Sequence, residues 1–300
     1  MLKGIFEKDS LWVKSVFILL IPLIFSILLL GVNYGVTSLF DITDEVMTLK
    51  LMQLFSAAGM FIFAPFALAY LFSNHVRQFL SLQKPSGIVL VLAILSMWAA
   101  IPMINLIGEL NDQIALPDAL KFIEEILRAY EEEIAELTNK LLASGDSFDG
   151  LLLNLLIMAV IPAFGEELLF RGVIQNSLAK NLTNKVLAVW ITAFLFSAIH
   201  FQFYGFIPRL LLGAYFGYLL IWSKSIWVPV IAHFTNNATI VLFYFFLKDK
   251  NFDFDLERVG IEDSPLWVIG SVLLFALFTA VIWRRRILLK ELKIRVFKLT

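Results

Sequence analysis

Apolar runs of about twenty residues, long enough to cross the hydrocarbon core of a bilayer, recur along this chain and constrain it more than any other feature. Eight can be drawn: about Val13–Gly31, Leu51–Phe72, Gly87–Ile107, Leu151–Gln175, Val186–Phe203, Phe206–Trp222, Ile226–Leu247 and Leu266–Trp283. Backbone in hydrocarbon must satisfy its own hydrogen bonds, so runs of this length fold as helices. Composition agrees: of 300 residues, 60% are hydrophobic and 16% charged, where a soluble domain carries roughly a quarter charged. The expected fold is an all-α, polytopic membrane bundle with about eight transmembrane helices. The first run follows Lys14 and shows no small-residue cleavage site, so it reads as a retained helix, not a signal peptide.

The charges between the runs alternate. Asp41, Asp44 and Glu45 make the first loop acidic, and Arg77 and Lys84 make the second basic. The third, Gly108 to Gly150, holds eleven acids against Lys121, Arg128 and Lys140. Lys180, Lys185 and Lys224 follow, and a tail from Arg284 to Lys298 is strongly basic. Lys and Arg favour the cytoplasmic side, and every basic loop falls there if both termini are cytoplasmic. An integral, multi-pass protein is expected, with membrane lipid as its surroundings; the short loops suggest a bacterial inner membrane. No basic stripe exists outside the tail, so nucleic acid is not an expected partner. With no cysteine, disulfides and thiol nucleophiles are excluded.

Within the acidic third loop, Leu120, Ile123, Leu127, Tyr130, Ile134, Leu137 and Leu141 recur at steps of three and four. That spacing predicts an extracytoplasmic amphipathic helix over 118–143, either a cap on the bundle or a gate. The chain divides accordingly into an N-terminal three-helix region with this loop (1–147), a central core (148–250), and a last helix with its basic tail (251–300).

Charge inside the fourth run is the second constraint. Glu166 and Glu167 stand in an apolar segment, with Arg171 one turn later on the face of Glu167. Pro162 is expected to kink the helix just before them, and Gly165 to admit a neighbouring backbone. Charge at such depth is expensive unless paired, wetted or used. Of only three histidines, His75 lies in a basic loop, while His200 ends the fifth run and His233 lies in the seventh, one turn before Asn237. Glu167 and His200 are equally far from the turn Asn181–Lys185, and His233 lies nine residues past Lys224. All three are thus expected at one depth, about 12 Å below the cytoplasmic surface at 1.5 Å per residue, in a cavity opening there. A carboxylate in an apolar cavity suits general-base activation of water, with imidazole and amide groups to hold the water or an oxyanion. His-Glu-x-x-His is absent, and no serine stands in a nucleophile elbow. Residue types alone also allow a structural reading, in which the carboxylates and Arg171 lock helices and the histidines satisfy backbone groups.

Glu166-Glu167-x-x-x-Arg171, Phe196-x-x-x-His200 and His233-x-x-x-Asn237 resemble the three ordered motifs of the type II CAAX prenyl endopeptidase and bacteriocin-processing family of intramembrane proteases. The resemblance covers about Leu151 to Leu247. It implies an eight-helix fold, a CAAX protease-like core over 148–250, and a peptide or membrane-protein substrate cleaved near the cytoplasmic membrane face. It further implies Glu166 as the water-activating base with His200 as its partner. His233 and Asn237 would form the oxyanion site, and Glu167 and Arg171 would orient Glu166. In a metalloprotease reading, Glu166, His200 and His233 would bind Zn²⁺; a metal-free glutamate mechanism is equally open. Peptide maturation and bacteriocin self-immunity are the roles it suggests. A proton-coupled transporter using the same carboxylates and histidines, or a non-catalytic immunity or scaffold protein, are the competing functions.

Overall fold

A computed structural model of the protein describes residues 2–247, 258–260 and 264–297, with side chains as far as residue 286. The described residues form helices joined by short turns, with no strand among them. The chain runs through α1 (Leu11–Leu39), α2 (Glu45–Phe72), α3 (Gly87–Asp112), α4 (Lys121–Ala143), α5 (Phe148–Asn181), α6 (Lys185–Ala198), α7 (Phe206–Ser223), α8 (Trp227–Leu247) and α9 (Pro265–Phe297). Side chains set several starts: Asp44 accepts from the Met47 N–H at 2.7 Å, Ser147 from Gly150 at 3.1 Å and Asn184 from Val186 at 2.9 Å. Seven helices, all but α4 and α6, are long and apolar enough to span a membrane. They form a polytopic helical bundle.

The fifth run differs from its expected form. Its helix, α6, covers only Lys185–Ala198, about 21 Å at 1.5 Å per residue. The chain then reverses: Phe201 takes the left-handed conformation at φ 54°, and the Ser197 hydroxyl donates to the Phe206 carbonyl at 2.7 Å. His200 therefore sits in the turn between α6 and α7, not inside a helix. The apolar residues Ile199, Phe201 and Phe203 continue the hydrophobic pattern through this turn, so the pattern alone could not mark it.

Pro65 of α2 and Pro162 of α5 each follow a widened turn. Residues Gly59–Phe63 and Leu156–Val160 are π-helical, and Pro65 and Pro162 stand two residues after them. The extra residue relieves the clash of the proline ring with the preceding turn and accommodates its missing N–H. A third π-helical stretch, Leu168–Gln175, carries Arg171. Gly165 brings α2 against α5, since a Cβ there would stand 2.6 Å from the Phe61 Cβ.

Two apolar clusters make the core. One joins Leu68 and Phe72 of α2 to Leu168, Phe170 and Val173 of α5 and Phe196 of α6. The other joins Met97 of α3, Phe216 and Leu219 of α7, Val228 of α8 and Ile282 of α9. The polar residues of the central segment lie where these clusters meet.

The amphipathic helix forms as expected, but rotated. Leu120, Ile123, Tyr130 and Leu137 of its apolar seam are exposed, while Leu141 is buried. Polar anchors fix the rotation. Glu124 accepts the Leu116 N–H at 3.1 Å, which holds its carboxyl below the usual range. Glu131 accepts the Tyr204 N–H at 2.9 Å, and the Arg128 guanidinium lies 3.8 Å from the Tyr204 ring centroid. Asn111, near the end of α3, donates to the Phe203 carbonyl and accepts from the Ile207 N–H. The turn 199–205 and α4 therefore share one end of the bundle. Lys180, Lys185 and Lys224 mark the opposite end.

The Lys and Arg distribution predicts which side of the membrane each end faces. Reporter fusions at Lys84, Lys180 and Lys224 are expected to read cytoplasmic, and one at Glu132 to read outside. A cytoplasmic signal at Glu132 would invert this orientation. The corresponding site at Glu257 and the end of the basic tail, Lys298, lie outside the described residues.

Candidate active site

Glu167 and Arg171 are fully buried and form an ion pair one turn apart on α5, Arg171 Nη1 donating to Glu167 Oε1 at 2.7 Å. Arg171 Nη2 donates to the Gly213 carbonyl of α7 at 2.9 Å, and Gln175, one turn further, donates to the Gly217 carbonyl at 3.1 Å. The Gly213-x-x-x-Gly217 face thus does more than pack. Its glycines expose two successive carbonyls to a matching pair of donors, and a Cβ at Gly217 would stand 2.7 Å from Gln175 Oε1. The guanidinium also lies 4.5 Å and 5.4 Å from the ring centroids of Phe196 and Phe216.

The pair holds His233. Nδ1 of that ring lies 3.0 Å from Glu167 Oε1, and the ring stacks on Phe216 at 5.2 Å with Phe196 edge-on at 5.9 Å. Glu167, already paired with Arg171, has lone pairs and no proton to give, so Nδ1 is the donor. That leaves Nε2 facing Glu166, whose Oε2 is 4.0 Å away. The resemblance implied that Glu167 and Arg171 orient Glu166; their hydrogen bonds instead fix His233. His200 is held the same way: Nδ1 lies 2.7 Å from the Phe196 carbonyl, which can only accept, so Nε2 is again the free nitrogen. Asn237 donates to the Met158 carbonyl at 3.2 Å and accepts from Asn236 at 3.2 Å.

Glu166, His200, His233 and Asn237 line one cavity of about 280 Å³, with Phe196 and Phe216 as apolar walls. Glu167 and Arg171 lie behind it. The cavity extends from mid-bundle towards the turn 199–205, since Gly205, Pro208 and Arg209 also line it. It therefore lies in the half nearer α4, not towards the Lys180 and Lys224 end where equal depths had placed its opening. The expected depth takes α6 to run the full length of its apolar run. The short α6 instead brings His200 to the turn at the other end.

Asn236, beside Asn237, and Arg209 of α7 also line the cavity, and the sequence motifs include neither. Asn236 adjoins a motif residue and could have been flagged by that adjacency alone. Nothing in the spacing of Arg209 marks it as cavity-lining. Metal ligation was the alternative use of this donor set. Among the described residues no three histidine, aspartate or glutamate side chains are arranged to hold a metal ion. Both imidazoles commit Nδ1 to an acceptor and leave Nε2 free, a disposition that suits holding water and metal ligation alike.

The helical membrane bundle carries the three motifs on one cavity, and comparison with known proteins shows what this segment is similar to. Residues 148–239, the segment that carries all three motifs, match the family model for the Rce1-like type II CAAX prenyl endopeptidases. Among curated proteins of Bacillus subtilis (strain 168), the uncharacterised protein YpbD is 28% identical over 89 residues, 28% of this chain and 42% of its own length. The candidate membrane peptidase YdiL is 28% identical over 90 residues, 30% of this chain and 36% of its own length. The chain thus matches about two fifths of the length of these relatives. No solved structure matches it.

Proposed function

We propose that the protein is an intramembrane endopeptidase in which Glu166 activates water directly, without a metal. What supports this most is that residues from three separate motifs, Glu166, His200, His233 and Asn237, line a single cavity of about 280 Å³ between apolar walls. The Rce1-like match over the same residues supports the reaction class.

In this reading, water sits between the Glu166 carboxylate and the Nε2 lone pair of an imidazole, each accepting one of its hydrogens. As the water oxygen bonds to the carbonyl carbon of the scissile peptide, Glu166 takes a proton. The side-chain amides of Asn236 and Asn237 each keep one N–H beyond their existing bonds, and these suit the developing oxyanion. When the C–N bond breaks, the proton passes from Glu166 to the leaving amine. The products are a carboxylic acid and an amine, so atoms and charge balance. Glu167, held by Arg171, keeps His233 in the tautomer that leaves Nε2 free.

The substrate is a peptide or membrane protein whose scissile bond enters the half of the bundle nearer α4. Cleavage profiling of membrane-embedded peptides, wild type beside Glu166→Gln, tests the peptidase assignment. Metal independence has its own test: purified protein treated with phenanthroline or EDTA and then dialysed is expected to keep its full cleavage rate. Loss on chelation and recovery with zinc would remove the metal-free step while leaving the peptidase.

A further inference from the structure

Arg209 projects from the first turn of α7 into the cavity. Its Nη2 donates to Gln202 Oε1 at 2.7 Å, whereas Nη1 is shielded from solvent and has no hydrogen-bond partner. Among the described residues no carboxylate pairs with it within 4.0 Å. Glu131 of α4 and Glu166 are the acids whose field reaches it, and neither makes an ion pair with it. Gly205 makes room for this guanidinium: a Cβ there would stand 2.9 Å from Nη2. Arg171 is by contrast tied to Glu167 and the Gly213 carbonyl.

A cation withdrawn from water with an unsatisfied donor is costly unless something completes it. Of the residues that share its cavity, Pro208, Leu212 and Phe216 offer no acceptor side chain, and Glu166, Asn236 and Asn237, which do, make no hydrogen bond to it. A guanidinium presents a planar fork of N–H groups that matches a carboxylate in two parallel bonds. We propose that Arg209 is a substrate-binding residue that receives a carboxylate of the peptide, either its C-terminal carboxylate or an Asp or Glu side chain. This deepens the peptidase reading and rests on it for the word substrate. The carboxylate seated there lies in the same cavity as Glu166, so it fixes which peptide bond reaches the activated water. The enzyme would select bonds close to an acidic group, not a residue type at the bond itself.

Binding tests this apart from cleavage. Short myristoylated, fluorophore-labelled peptides of Leu and Ala are made in three forms: a free C-terminal carboxylate, a C-terminal amide, and an amide with one internal Asp. Affinities are measured in detergent on Glu166→Gln, to prevent turnover, and on the same protein carrying Arg209→Gln, Arg209→Lys or Gly205→Ala. Charge-assisted hydrogen bonds predict that an acidic form binds at least about tenfold more tightly than the plain amide. Arg209→Gln is expected to erase that preference while leaving affinity for the amide unchanged. Gly205→Ala should reduce it by displacing the guanidinium, and Arg209→Lys should retain part. Preference for the free acid alone identifies the C-terminus as the source, and preference for the internal Asp identifies a side chain. No acid preference before substitution overturns the proposal, as does equal weakening of acid and amide by Arg209→Gln. If Arg209→Gln does not fold, unchanged acid preference in both Gly205→Ala and Arg209→Lys overturns it. Acid-selective binding without cleavage of any peptide by the wild type would instead sink the peptidase reading and leave this site standing.

Discussion

Replacing Arg171 with Met should destabilise the protein by roughly 3–5 kcal/mol, the range for removing one partner of a buried ion pair. The cause is what remains. Glu167 is fully buried, its Oε1 takes bonds from both Arg171 and His233, and its Oε2 has no hydrogen-bond partner. Without the guanidinium, that carboxylate has no cation held against it at 2.7 Å, and the Gly213 carbonyl loses its donor from α5. The thermal midpoint in detergent should fall by several degrees. Glu167→Gln combined with Arg171→Met should recover most of the loss, because it removes the stranded charge yet keeps an acceptor for His233. A double-mutant cycle reads this directly. If the double variant is no more stable than Arg171→Met alone, the loss comes from packing against Phe196 and Phe216, and the ion pair is not its source.

How much of this site was legible beforehand depends on what each feature rests on. The spans were readable because apolar length is a property of sequence alone. The three motifs were readable because ionisable residues stand out in apolar runs, and each contributes to one cavity wall or to the layer behind it. The partners were not. Spacing placed Arg171 on the face of Glu167, but not His233 on the far side of the same carboxylate, because that contact joins α5 to α8. The Gly213 and Gly217 carbonyls are backbone atoms, and no residue type advertises them as acceptors for Arg171 and Gln175. The rotation of α4 was hidden for a related reason. Its apolar seam is real, but Glu124, Arg128 and Glu131 bind backbone and ring atoms of neighbouring turns, and those polar bonds override the seam. The end of α6 was hidden because Ile199, Phe201 and Phe203 are as apolar as the helix they follow.

Glu166→Gln should abolish cleavage and leave the fold intact. The amide has the shape of the carboxylate and can still accept a hydrogen bond, but it cannot take a proton from water. A positioned general base contributes about 10²–10⁴ in rate, so peptide cleavage should fall by two or more orders of magnitude. Stability should not follow it. Glu166 makes no ion pair with Arg171, and the side chain that faces it is His233, with Nε2 4.0 Å from Oε2. Neutralising a carboxylate between apolar walls removes a desolvation cost instead of creating one. The thermal midpoint of Glu166→Gln should therefore equal or exceed that of the wild type, opposite in sense to Arg171→Met. Measured together, the two variants separate chemistry from architecture in one protein. A Glu166→Gln protein that melts early yet still cleaves would mean that Glu166 is a structural group, and water activation would then have to be sought at His200 or His233. A proton-coupled transporter would give a third pattern: no cleavage by either protein, with loss of proton-dependent uptake in Glu166→Gln alone.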